Sequence, residues 1–135
     1  MANRFRFVDD VLARLTTVWG PGRVGIRINP NGRDNGVGSP DNFEVFSYVA
    51  KRLNAFNLSY LHMVDGLGDE DLFTKLFTNL SKPLTLADIR PLFEGTLVGN
   101  GLYDQYTDHK RICAGEVDAI SFGQKLIDNS PPFSD

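Results

Sequence analysis

Apolar side chains along this chain alternate between two spacings, and the alternation gives the order of its elements. Phe7, Val8, Val11, Leu12, Leu15 and Val18 recur at steps of three and four, which predicts an amphipathic helix ending near Gly20. Pro21-Gly22 is a turn, and Val24 to Ile28 then reads as a short β-branched strand stopped by Asn29-Pro30. After a glycine-bearing loop (Gly32, Gly36, Gly38), Ser39 and Pro40 are expected to serve as N-cap and first residue of a second helix. That helix presents Phe43, Phe46, Val49, Ala50, Leu53 and Phe56 on one face.

Leu58 to Val64 is a second strand, and Leu72, Phe73, Leu76, Phe77 and Leu80 give a third helical face. Thr85 and Asp88 have capping-box spacing, and Pro91 limits the helix they open. Thr96 to Gly99 forms a third strand running into Asn100-Gly101; Asp104 caps a helix that ends at Gly115. Val117 to Phe122 is a fourth strand, followed by a helical turn from about Gln124. Strands alternating with helices indicate βα units and a parallel sheet, the α/β class. The first helix has a strand after it and none before it, so either the sheet starts there or an upstream strand is missing.

Length and composition bound this picture without adding to it. At 135 residues, residues 1–135 are one domain. Fourteen basic and seventeen acidic residues give a net charge of −3, which provides no electrostatic footprint for nucleic acid or an anionic membrane. A mean hydropathy of −0.21 and no run near ~18 apolar residues point to a cytoplasmic protein. Cys113, the one cysteine, rules out an internal disulfide and a multi-cysteine metal site, so no metal is expected.

Taken together, several segments resemble the Old Yellow Enzyme family of FMN-dependent ene-reductases. Asn3-Arg4-Phe5-Arg6-Phe7 is similar to its Asn-Arg-x-Arg-Phe motif. Val24-Gly25-Ile26-Arg27-Ile28-Asn29-Pro30 resembles its fifth barrel strand, and Leu58 to Asp65 its sixth. Ile89 to Gly95 with Leu97 to Asp104 resembles the surroundings of the seventh, and Gly115 to Gln124 the eighth. The resemblance is collinear from residue 3 to about 129. It implies half of a (β/α)8 TIM barrel, strands five to eight with their helices, since a whole barrel takes roughly 200 to 400 residues.

Arg27 is the first candidate site residue. A cation in an apolar strand is costly to bury unpaired, so an anionic partner is expected. Two readings are open from the residue itself: a ligand contact, or an outward-facing arginine paired with a helix carboxylate. The resemblance implies the first, with Arg27 at the pyrimidine edge of FMN, where it would stabilise charge on the reduced ring. Asn100-Gly101 and Phe122-Gly123-Gln124 end the next-to-last and last strands, where the resemblance implies the FMN phosphate; otherwise their glycines serve ordinary turns. The family has Phe-Gly-Arg where this chain has Phe122-Gly123-Gln124, so a charged donor is replaced by a neutral one.

His62 reads as a hydrogen-bonded barrel-interior residue, His109 as solvent-facing and Cys113 as a small packing residue. Gly68 to Asp71 reads as a solvated helix start, and the loop 31–39 lacks a Walker or calcium pattern.

By resemblance, the substrate-binding His/Asn or His/His pair and the proton donor lie upstream of Asn3, so no catalytic residue is assigned within the chain. The complete enzyme would pass hydride from NAD(P)H through FMN to an activated small-molecule alkene. This portion would bind FMN and be inactive alone. The alternative is a non-catalytic α/β module that binds a partner or a phosphorylated ligand. Two open sheet edges also predict self-association or pairing with a complementary half barrel.

Overall fold

The computed structural model describes residues 1–31, 39–65, 82–101, 103, 105–123 and 127. Its elements, in order, are α1 (Ala2–Trp19), β1 (Gly25–Ile28), α2 (Asn42–Leu53), β2 (Tyr60–Val64), α3 (Leu86–Ile89), β3 (Leu97–Asn100), α4 (Gln105–Cys113) and β4 (Ala119–Ser121). Single 3-10 turns extend α2 at Asn54–Phe56 and α3 at Arg90–Leu92. The sheet order is β1-β2-β3-β4 and every neighbouring pair is parallel. This is the α/β half barrel expected from the sequence. None of the described helices is long and apolar enough to cross a membrane.

Strand alternation divides the sheet into two unlike faces. Ile26 pairs with Leu61 and Leu61 with Leu97; Ile28 pairs with Met63, Met63 with Gly99, and Gly99 with Ile120. Leu61, Met63 and Leu97 have no exposed surface, because this face carries the helices. Phe5 and Leu12 of α1, Ala50 and Leu53 of α2, and Leu86 and Ile89 of α3 complete the core. Gly99 is the close approach here: a Cβ would lie 2.7 Å from Leu86 Cδ1 and 2.8 Å from Ile120 Cδ1. The other face carries Arg27, His62, Val98, Asn100 and Ser121, and no described helix covers it.

Termini of the helices follow local chemistry. Thr85 Oγ1 accepts from the Asp88 amide at 3.3 Å while Asp88 Oδ2 accepts from the Thr85 amide at 3.0 Å, the reciprocal capping box. At the end of α4, Gly115 has φ 71°; its amide donates to Ile112 O and the Glu116 amide to Arg111 O, a Schellman motif. The Ser39-Pro40 expectation is corrected. The Asn42 amide donates to Ser39 O at 3.0 Å, so Pro40 occupies the second position of a turn, which its fixed φ suits. Asp41 is the N-cap residue and α2 starts at Asn42. The strands at 60, 97 and 119 start one or two residues later than the apolar runs, where ladder pairing begins. The helix expected over 72–80, the helix start at 68–71 and most of the turn after Gln124 lie outside the described residues.

A buried polar clamp holds the C-terminal ends of β1 and β2 together. Asn31, 1% exposed, donates through Nδ2 to Val64 O (3.1 Å) and Leu84 O (2.9 Å) and accepts from the Leu84 amide (2.8 Å). Removing it orphans three backbone groups at once. Each unsatisfied buried group costs about 1–3 kcal/mol, so Asn31→Ala is expected to lower stability by about 3 kcal/mol. Thr85→Ala, which removes only a cap, is expected to cost about 1 kcal/mol. Urea-unfolding midpoints check both values and their ranking.

Candidate functional site

The helix-free face of the sheet gathers polar side chains from all four strands, because register places them side by side. Arg27 and His62 are direct neighbours across β1 and β2, and Asn100 and Ser121 across β3 and β4. Arg27 Nη1 lies 2.7 Å from His62 Nε2, and Arg27 Nη2 donates to Asn100 Oδ1 at 2.8 Å. His62 Nε2 is also 2.8 Å from Ser121 Oγ. Asn100 Nδ2 donates to Ser121 O at 3.0 Å and lies 3.1 Å from its Oγ. One hydrogen-bonded chain therefore crosses the sheet from edge to edge.

Arg27 is the only cation in that chain of contacts. It has no carboxylate within ion-pair distance among the described residues, and its partners are an imidazole and a carboxamide. Among the described residues no helix carboxylate pairs with Arg27, the described helices packing on the opposite face. His62 accepts from the guanidinium only when neutral. Burial, and then the neighbouring Arg27 charge, hold its pKa below the ordinary 6.5.

The other sequence candidates lie at the same end of the sheet. Asn100 closes β3 and Gly101 follows it; Phe122, half-buried against the core, and Gly123 follow β4. A Cβ at Gly123 would meet nothing within 4 Å, so its backbone is open to approach. Gln124 lies outside the described residues. Asn100 thus meets Arg27 directly, whereas Gly101, Phe122 and Gly123 share only its rim.

Beneath that rim is a buried cluster that sequence reading did not single out. Asp65, directly after β2, has a fully buried side chain. Its Oδ2 accepts from Tyr103 Oη at 2.5 Å and lies 3.3 Å from Arg111 Nη2; its Oδ1 accepts from the Leu86 amide at 3.1 Å. Burial first, and the Asp65 carboxylate second, raise the Tyr103 pKa far above 10.0. The cluster binds the β3–α4 connection to β2 and so supports the rim. His62 is hydrogen-bonded, as its sequence reading expects, whereas Ser121 was legible only through register, since strand alternation needs a partner strand before it identifies a face. Cys113 is a correction: it is exposed rather than packed, with Sγ 3.5 Å from Nε2 of His109 one turn earlier on α4.

The lowered pKa of His62 gives this site a pH signature. Its folded value lies below the unfolded one, so its contribution is complete above pH 6.5 and is lost as pH falls through the folded value. The unfolding midpoint is expected to drop between about pH 7 and pH 5, and His62→Gln to flatten that component. Urea titrations of both proteins across that window are the measurement.

No family model matches the chain. A candidate 12-oxophytodienoate reductase of Oryza sativa subsp. japonica, number 11 of its series, is 30% identical over 96% of this chain and 34% of its own length. A candidate flavin mononucleotide-dependent alkene reductase of Leishmania infantum is 29% identical over 94% of this chain and 32% of its own. Among solved structures, the old yellow enzyme of Trypanosoma cruzi superposes with a TM-score of 0.77 at 27% identity, covering 92% of this chain and 30% of that one. The homologue from Zymomonas mobilis gives 0.76 at 28% identity, covering 98% and 39%. By sequence and fold together, the chain is similar to Old Yellow Enzyme family proteins and spans about a third of the length of these relatives.

Proposed function

We propose that this chain is the FMN-binding portion of an NAD(P)H-dependent ene-reductase acting on activated alkenes. The observation that carries the reading is Arg27: a guanidinium on a polar face, held by an imidazole and a carboxamide and with no carboxylate partner among the described residues. The likeness to an FMN-dependent alkene reductase names the anion that would fit. The residues present suit it. Arg27 offers a fixed positive charge, Asn100 and His62 fix the direction of its fork, and Gly123 leaves backbone open at the neighbouring strand end.

The chemistry FMN supplies when bound is hydride exchange between a nicotinamide and an alkene. The chain's own residues bind and orient. Arg27, immobilised before binding, stabilises negative charge without reorganising when that charge develops. Asn100 donates to Ser121 while accepting from Arg27, which ties the cation's position to β4. Gly101, Phe122, Gly123 and Gln124 form the proposed phosphate end. Because Gln124 stands where an arginine is the family pattern, the phosphate there relies on neutral donors. No described residue is assigned as proton donor to a substrate.

Titrating the chain into FMN while following flavin fluorescence tests this directly. Quenched, bound flavin without alkene reduction is the expected result. No binding would favour the non-catalytic module instead. A charged hydrogen bond is worth about 1.5–3 kcal/mol, so Arg27→Ala should weaken FMN affinity by about 10- to 100-fold. Gln124→Arg should tighten it, with the gain shrinking as salt is added.

A further inference from the structure

Within the network of Arg27, His62, Asn100 and Ser121, only His62 changes charge near neutral pH. Arg27 Nη1 reaches both ring nitrogens of His62, 3.1 Å from Nδ1 and 2.7 Å from Nε2. A neutral imidazole has one bare nitrogen in either tautomer, so it accepts from the guanidinium whichever nitrogen carries the proton. An imidazolium has none. Both of its nitrogens donate, and Arg27 has no acceptor to meet them. Protonation therefore replaces a hydrogen bond with two like charges in contact.

We propose that His62 is a proton-operated positioning residue, holding Arg27 at the flavin site while uncharged and releasing it once protonated. Its consequence, a weaker site in mild acid, rests on the flavin reading; the contact between the two side chains stands without it. The network opens on one side only. Ser121 Oγ, 2.8 Å from His62 Nε2, accepts from a protonated ring while its own hydroxyl donates to Gly99 O at 3.2 Å. Asn100 keeps its oxygen on Arg27 Nη2 at 2.8 Å, because Nδ2 of the same carboxamide is tied to Ser121 O. One of the two holds on Arg27 is thus lost in acid and the other stays.

No described group offsets the repulsion. On the same face of the sheet as His62 stand Arg27 from β1, Tyr60 from β2, Val98 and Asn100 from β3 and Ser121 from β4. None is a carboxylate, and the described helices pack on the other face. Burial and the Arg27 charge hold the His62 pKa below 6.5, so release belongs to the range under that value. Unfolding is not required for it: Ile28, Leu61 and Met63 are buried on the opposite face, where strand alternation keeps them clear of the contact.

Two titrations from about pH 8 to about pH 5 test this, one on the flavin-free chain and one with FMN as the probe. By NMR, the Arg27 Nε–H signal should move with the same midpoint as the His62 ring protons, and Arg27→Ala should raise that midpoint toward 6.5. By flavin fluorescence, FMN affinity should fall about tenfold through that midpoint, the equivalent of one charged hydrogen bond. The FMN phosphate itself ionises near pH ~6, so the wild type is read against His62→Gln, which keeps the phosphate component and has no titrating group at that position. Arg27→Ala should abolish the same His62 component. An Arg27 signal that ignores His62 protonation would overturn the proposal, as would an acid loss of affinity that His62→Gln leaves in full. Absence of FMN binding at every pH counts against the flavin reading instead, and the NMR titration then decides whether His62 holds Arg27.

Discussion

Parallel register is the constraint on which the rest of this molecule depends. With Ile26, Leu61 and Leu97 aligned on one face, Arg27 and His62 have to be aligned on the other. The apolar row draws the helices to its side and leaves the polar row uncovered. A slip of one residue in β2 would carry His62 into the core and Leu61 onto the open face. Burial of Leu61 and Met63, both without exposed surface, opposes that slip and so holds Arg27 and His62 in reach of each other. Core packing and site geometry are in this sense two consequences of one alignment.

That dependence also explains how much the sequence disclosed. Helix and strand order followed from apolar spacing, and Thr85 with Asp88 announced a cap that forms as spaced. Arg27 stood out because a cation interrupts an apolar strand. Ser39-Pro40 misled because the same pair suits a turn and a helix start, and only the hydrogen bond from Asn42 to Ser39 separates them. Asn31 could not be foreseen as a clamp: its partners, Val64 and Leu84, lie 33 and 53 residues away. Asp65 was hidden for a similar reason, since an acidic residue after a strand ordinarily reads as a solvated end.

The site divides along the same line. Residues named from motifs, Arg27 and Asn100, proved to be hydrogen-bonded to each other, while Gly101 directly follows Asn100 and Gly123 lies just past β4 at the same end of the sheet. What no motif supplied was the middle of the network. His62 and Ser121 connect the outer strands, and their role follows from pairing rather than from residue type.

The Tyr103–Asp65 contact sets a limit of another kind. A phenol that gives its proton to a sealed carboxylate cannot ionise in place, because the departing proton would leave two negative oxygens 2.5 Å apart out of reach of water. The native state binds that proton more tightly than the unfolded chain does, so its advantage is whole below pH 10.0 and shrinks above it. The fold thus carries an alkaline ceiling built from its own interior, at the point where the second strand hands over to the third.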